Sequence, residues 1–230
     1  MNSRPHVIVN VAMTIDGKLD TIERKGATIS SGADKQRVDE LRASVDAILV
    51  GGKTLLSEDP SLTVKSADLR SRRLAQGLEE NPVKVSVVSQ ADLNLQGDFM
   101  TAGPARRLIY TTKRTLPEQV HKLENAGAQV FVRCEESIDL RDVFQSLYDQ
   151  GIQILMIEGG GTLIAGLFQF GLVDELFAYI APQIFSGASA PTLADGDGFL
   201  NGQAKHLHLE SVSKFDNEGG VLVHYTSQSQ

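Results

Sequence analysis

The chain has 230 residues, 41% of them hydrophobic, which is enough for a sizeable core in one large domain or two small ones. Its net charge of −7, without a long basic block or any tryptophan, argues against a nucleic-acid surface, and no apolar run approaches the ~18 residues of a membrane helix. The single cysteine, Cys134, excludes an internal disulfide and a zinc site built on several thiolates; its acidic neighbours in VRCEES would raise a thiol's pKa, so an unreactive surface cysteine is expected.

The opening MNSRPHVIVNVAM enters a strand pattern directly, without the layout of a signal peptide, so a cytoplasmic protein is expected. Strand-like runs fall at residues 6–13, 47–51, 83–89, 107–112, 128–133, 153–159, 175–182 and 221–227. Helix patterns fill 30–44, 116–127, 140–151 and 162–171. Ser31 is placed to cap the first of these, with Asp34 three residues on in a capping-box position. Two others run into a glycine, Gly127 and Gly151, a usual stop signal. The 162–171 segment is apolar around most of its circumference and is expected to be buried. Residues 65–81 are polar and charged and read as a solvated excursion. Alternation of strands and helices predicts an α/β sheet with mainly parallel pairing. The loop-rich 183–203 separates the last two strands with no helix, which predicts antiparallel pairing at that edge. The whole reads as one domain, 1–230.

Three stretches carry chemistry. In LMIEGGGTLIAG a strand ends in Gly159, Gly160 and Gly161, and a helix follows at Thr162 and Leu163. A bare backbone at a helix start offers free N–H groups and a favourable dipole to an anion. Three adjacent glycines exceed what a turn requires and favour a ligand; the spacing is that of neither a dinucleotide-binding fingerprint nor a P-loop. In AILVGGKTLLSEDPSLTV a strand runs into Gly51, Gly52 and Thr54; Thr54 is a donor for a phosphate or ribose, and Glu58 and Asp59 either accept from sugar hydroxyls or cap a turn. In NVAMTIDGKLDT, Asp16 and Lys18 sit at a strand's carboxyl end, where open α/β sheets place ligands, although a DG turn accounts for Asp16 and Gly17 without any function. His206 and His208 form an H-x-H without a third ligand nearby and read as surface residues, so no metal is expected.

Taken together and in this order, NVAMTIDGKL, RVDELRASVDAILVGGKTLLSEDPSLTV, NPVKVSVVS, IEGGGTLIAGLFQFGLVDEL and YIAPQIFSGASAPT resemble the reductases of riboflavin biosynthesis, in the single-domain form of archaea and fungi. The resemblance implies a dihydrofolate-reductase-like α/β/α fold, a homodimer and NADPH as cofactor. The implied substrate is a phosphorylated ribosylaminopyrimidine, 2,5-diamino-6-ribosylamino-4(3H)-pyrimidinone 5′-phosphate, whose ribosyl group would be reduced to ribityl. Bacterial relatives add a zinc deaminase, which needs more than one cysteine, so this chain is expected to reduce and not to deaminate.

Residue by residue, the resemblance implies cofactor contacts at Thr28, Thr54, Glu58, Ser89, Gly159, Gly160, Gly161, Thr162 and Leu163. It implies substrate contacts at Asp34, Arg42, Leu62, Lys65 and Glu158. The chain departs from the family at Glu58, commonly Asp, at Lys65, where bacterial relatives have Arg, and in GGKT, where G-x-G-T is usual. The implied chemistry opens the sugar to an imine, which accepts hydride at C1′. Lys18, Arg42 and Lys65 are available for the 5′-phosphate, and Asp16, Lys18 and Glu158 are the three candidates for the proton donor. Two other readings stay open: a reductase of the same fold acting on a pteridine or another heterocycle, and a non-catalytic nucleotide-binding protein.

Overall fold

The structure, a computed structural model, describes residues 4–227. In chain order the elements are β1 (His6–Thr14), α1 (Gly32–Ser44), β2 (Ala47–Gly51), α2 (Gly52–Glu58), α3 (Ala67–Ala75), β3 (Val83–Val88), α4 (Asp98–Thr101) and β4 (Arg107–Thr111). There follow α5 (Pro117–Asn125), β5 (Gln129–Val132), α6 (Leu140–Asp149), β6 (Ile154–Ile157), α7 (Gly161–Gln169), β7 (Glu175–Ala181), β8 (Leu207–Lys214) and β9 (Val221–Ser227). The sheet order is β5-β4-β3-β2-β6-β1-β7-β9-β8. Among the described residues no helix is long and apolar enough to cross a membrane.

The chain divides into two compact units. One is Asp39–Met156 with the short segment ending at Pro5; the other is His6–Val38 with Ile157–Gln230. In the first unit, β2, β3, β4 and β5 pair in parallel, so their carboxyl ends lie along one edge. β2 is buried at all five positions, which is why it reads as a continuous apolar run. In the second unit, β1 and β7 are parallel and β9 pairs antiparallel with β7, as the loop-rich connection predicts.

Helix ends follow from local chemistry. After α3, α5, α6 and α7 the chain turns left-handed at Gly77, Gly127, Gly151 and Gly171. In each case the next residue donates its N–H back to a carbonyl five positions earlier, as Ala128 does to Leu123 and Ile152 to Leu147. At the start of α1, Ser31 Oγ accepts from the Asp34 N–H at 3.2 Å, so the first half of the predicted box forms. The Asp34 carboxylate turns instead to Arg37, which donates from both Nε and Nη2.

Two elements depart from the sequence reading. Residues 65–81 are largely exposed, as read, but they hold an element the reading lacked: α3 forms within them, capped by Ser66 Oγ accepting from Leu69 N. Its anchor is Arg73, 3% exposed, which donates to the carbonyls of Glu79, Ala43 and Val45. A polar stripe holding one buried guanidinium leaves no apolar periodicity to read. The second is β8, an edge strand whose side chains are exposed at all positions but the first. A bulge between Leu209 and Ser211 breaks its alternation, so it has no period-2 signature.

Candidate functional site

In the first unit the site residues gather around the segment 51–66 and the ends of the parallel strands. α2 starts directly from β2 because Gly52 lies against β3: a Cβ there would stand 2.9 Å from Val88 Cγ2. The second glycine of GGKT is thus required by strand packing. Thr54, half-buried in the first turn of α2, has no hydroxyl partner among the described residues, while Glu58 is exposed at the end of α2. Asp59 adopts a left-handed conformation and its carboxylate accepts from the N–H groups of Asp98 and Phe99, capping α4. It is therefore committed to the fold, and Gly97 is required because a Cβ would collide with that carboxylate.

Three substrate candidates converge in this unit. Arg42, in the last turn of α1, donates from Nη1 to the Thr63 carbonyl at 3.0 Å. Lys65 Nζ donates to Thr63 Oγ1 at 3.0 Å and to Ser61 Oγ at 2.7 Å. Between them Leu62 is buried at φ 48°, a strained conformation for a leucine. What holds this loop was not visible in the sequence. Asp39, 8% exposed, accepts the backbone N–H groups of both Lys65 and Ser66, and Asn81 Oδ1 accepts that of Val64. Thr63, Asp39 and Asn81 are the residues the sequence reading missed; no local pattern marks them, because each acts on a partner distant in sequence. Ser89, just past β3, is exposed with no hydroxyl partner among the described residues.

In the second unit, the turn after β1 is fixed by hydrogen bonds. Thr14 Oγ1 donates to Asp16 Oδ1 at 2.6 Å, and Asp16 also accepts from the N–H groups of Phe185 and Ser186. These bonds, that from Thr14 first, hold the Asp16 carboxyl below the usual carboxylate range. Lys18, a half-buried residue, pairs through its backbone with Thr192, and its ammonium has no partner among the described residues. Asp20, 6% exposed, accepts from the N–H groups of Thr21, Gly26 and Ala27 and so shapes the loop that leads to the exposed Thr28.

Glu158 follows β6 and is half-buried. Gly159 and Gly160 have φ of 118° and 88°, which L side chains rarely adopt. Gly161 is needed for a different reason: a Cβ would strike the Thr192 carbonyl and come within 2.8 Å of Asp195 Oδ2. Each glycine of the triplet thus has a backbone or packing cause. The result is a helix of nine residues whose first-turn N–H groups, at Gly161, Thr162 and Leu163, are of the kind a helix leaves without intrahelical acceptors. That donor set, next to two residues without side chains, fits the phosphates of a dinucleotide. Asp34 is fully buried in its pair with Arg37, whose Nη2 also donates to Asn10, and its Oδ2 is without a partner among the described residues. A further cluster joins Ser31, Tyr179 and Asp216: both hydroxyls donate to Asp216 Oδ2, and these bonds, with N–H groups of Glu218 and Gly220, bring its carboxyl down to about 2.

Parallel pairing among β2, β3, β4 and β5 and between β1 and β7, with antiparallel pairing at the carboxyl-terminal strands, defines an α/β protein of dihydrofolate-reductase-like fold. Residues 5–220 match the RibD C-terminal domain, and the chain belongs to that family. It is 42% identical to the 2,5-diamino-6-ribosylamino-4(3H)-pyrimidinone 5′-phosphate reductase of Archaeoglobus fulgidus, over 96% of this chain and 99% of that one. It is 38% identical to the protein of the same name from Methanothermobacter thermautotrophicus, over 97% and 98%. Among solved structures, a pyrimidine reductase-like protein of Corynebacterium diphtheriae superposes with a TM-score of 0.85 at 22% identity, covering 98% of this chain and 93% of that one. The resemblance read from the sequence is thus confirmed at the level of family and fold.

Proposed function

We propose that this chain is an oxidoreductase of riboflavin biosynthesis that reduces the ribosyl group of 2,5-diamino-6-ribosylamino-4(3H)-pyrimidinone 5′-phosphate with NADPH. The observation that carries the reading is the pairing of Arg42 and Lys65 on Thr63, two cations held by the fold on one short loop, in a chain so similar to reductases of that name. We read it as a single domain, since the family match runs through both compact units, as a homodimer, as the resemblance implies, and as cytoplasmic.

Arg42 and Lys65 bind the 5′-phosphate, Arg42 as a planar fork and Lys65 as a point charge. Leu62 presents a fixed backbone beside them. Thr28, Thr54, Glu58 and Ser89 contact the cofactor, together with Gly159 to Leu163. When bound, NADPH supplies a hydride to C1′ of the ring-opened substrate. The chain must supply a proton as the ring opens and position the reacting carbon. Asp16, held ionised by its hydrogen bonds, suits an anchor better than an acid, so Lys18 and Glu158 carry the proton in this reading. Asp34 acts from beneath the surface, through Arg37, and not by direct contact.

The test is turnover: purified protein, NADPH and the diaminopyrimidine phosphate, with loss of NADPH absorbance and the mass of the ribityl product as readouts. Turnover of dihydrofolate in place of this substrate would transfer the chain to pteridine chemistry. NADPH binding without consumption of either would make it a nucleotide-binding protein.

A further inference from the structure

The loop between α2 and α3 carries two hydroxyls whose hydrogen bonds leave one proton unplaced. Lys65 Nζ donates to Ser61 Oγ at 2.7 Å and to Thr63 Oγ1 at 3.0 Å, and Thr63 Oγ1 donates to Ser61 Oγ at 3.4 Å. Ser61 Oγ therefore accepts twice, which fills both its lone pairs and leaves its O–H still to donate. No acceptor for that proton lies among the described residues. The Lys65 ammonium has three N–H groups and commits two to these hydroxyls, so one of them is also left to donate. Two unused donors thus sit on atoms 2.7 Å apart, and the hydroxyl is polarised by the cation it accepts from.

The main chain beneath this pair is fixed although it belongs to no helix or strand. Arg42 donates to the Thr63 carbonyl, and Arg70 Nη1 donates to those of Val64 and Lys65. Asn81 accepts from the Val64 N–H, and Asp39 from those of Lys65 and Ser66. Pro60 and the buried Leu62 flank Ser61, and Thr63, where the hydroxyl chain begins, is 7% exposed. Ser61 itself is half-buried and Lys65 exposed, so the two donors stand at the rim of a rigid loop. Donors held in place beforehand lose little freedom when an anion arrives, and in a chain of net charge −7 an anion must be drawn by such local groups. We propose that Ser61 is a further phosphate-binding residue, its O–H donating to the 5′-phosphate of the substrate beside the Lys65 ammonium. The inference rests on the reading of Arg42 and Lys65 as the phosphate site.

The experiment measures, by titration calorimetry without NADPH, the binding of the diaminopyrimidine phosphate and of its dephosphorylated nucleoside. The proteins compared are the native chain, Ser61→Ala, Ser61→Thr and Lys65→Ala, with circular dichroism to check folding. The native chain prefers the phosphorylated ligand, and Ser61→Ala narrows that preference about tenfold, as expected for a hydrogen bond to a charged group. Ser61→Thr, which keeps a hydroxyl, retains most of the preference. If Lys65→Ala narrows the preference and Ser61→Ala does not, the Ser61 assignment falls and the phosphate site stands. Equal weakening of both ligands in Ser61→Ala also overturns it, since that is the mark of a disturbed loop. If the native chain shows no preference, or binds neither ligand, the reading of Arg42 and Lys65 fails and the Ser61 assignment with it.

Discussion

Arg42 and Lys65 donate to the same residue, Thr63: one to its carbonyl, the other to its hydroxyl, both at 3.0 Å. If these cations bind the substrate phosphate, replacing either with Ala raises KM for the phosphorylated substrate about tenfold or more, the usual value of a charge-assisted contact. The dephosphorylated nucleoside should show little further loss. The comparison of the two substrates in steady-state kinetics distinguishes phosphate recognition from a general disturbance of the loop.

Asp16 and Glu158 separate by readout. Asp16→Asn weakens bonds to Thr14, Phe185 and Ser186, so its melting temperature falls. Glu158→Gln is expected to lower kcat by tenfold or more, within the range of general acid–base catalysis. A large loss of stability in Glu158→Gln, with activity retained, would assign that carboxylate to the fold.

The glycine triplet yields a stability prediction that is independent of ligand. Gly161→Ala forces a Cβ against the Thr192 carbonyl and should cost about 1–3 kcal/mol, as overpacking does. Gly32→Ala, at the start of α1 with no atom within 4 Å of the added Cβ and an ordinary φ, should be neutral or slightly stabilising. Chemical denaturation of the two variants checks the contrast.

Lys84 provides a pH signature. It is fully buried in β3, its ammonium donating to the carbonyls of Asp98, Phe99 and Ala102, and burial lowers it from 10.5 to about 8. Between those values the unfolded chain holds a proton that the folded chain has released. Stability therefore rises with pH across that window, by up to about 2–3 kcal/mol from this group. Below pH 8 both states are charged and the contribution is flat. The gap in unfolding free energy between the native protein and Lys84→Met, measured from pH 7.5 to 10.5, should widen in favour of the native protein.

Elements with a continuous apolar face were legible in the sequence. The buried run of β2 and the glycine stops after α5 and α6 fall within a residue or two of their predicted places. α3 and β8 were not, because an arginine anchors one and nothing buries the other. At the site, Arg42 and Lys65 could be named by resemblance, yet the groups that orient Lys65 could not. Asp39 meets the N–H groups of Lys65 and Ser66 across the loop, and a single carboxylate in a helix carries no mark of that task. The glycine triplet was read as more than a turn requires; in the folded chain Gly159 and Gly160 answer to their positive φ. Its third member, however, answers to Thr192 and Asp195, which only the folded chain brings near.

Among the described residues the side-chain hydrogen bonds of Arg73 go to main-chain oxygens, one in the last turn of α1, one just past it and one in its own loop. Carbonyls are present whatever side chains those residues carry, so the docking of α3 does not depend on the identity of its receptors. The outer face of this helix can therefore be rewritten, with a label, an affinity handle or a grafted epitope, provided that one arginine stays in place.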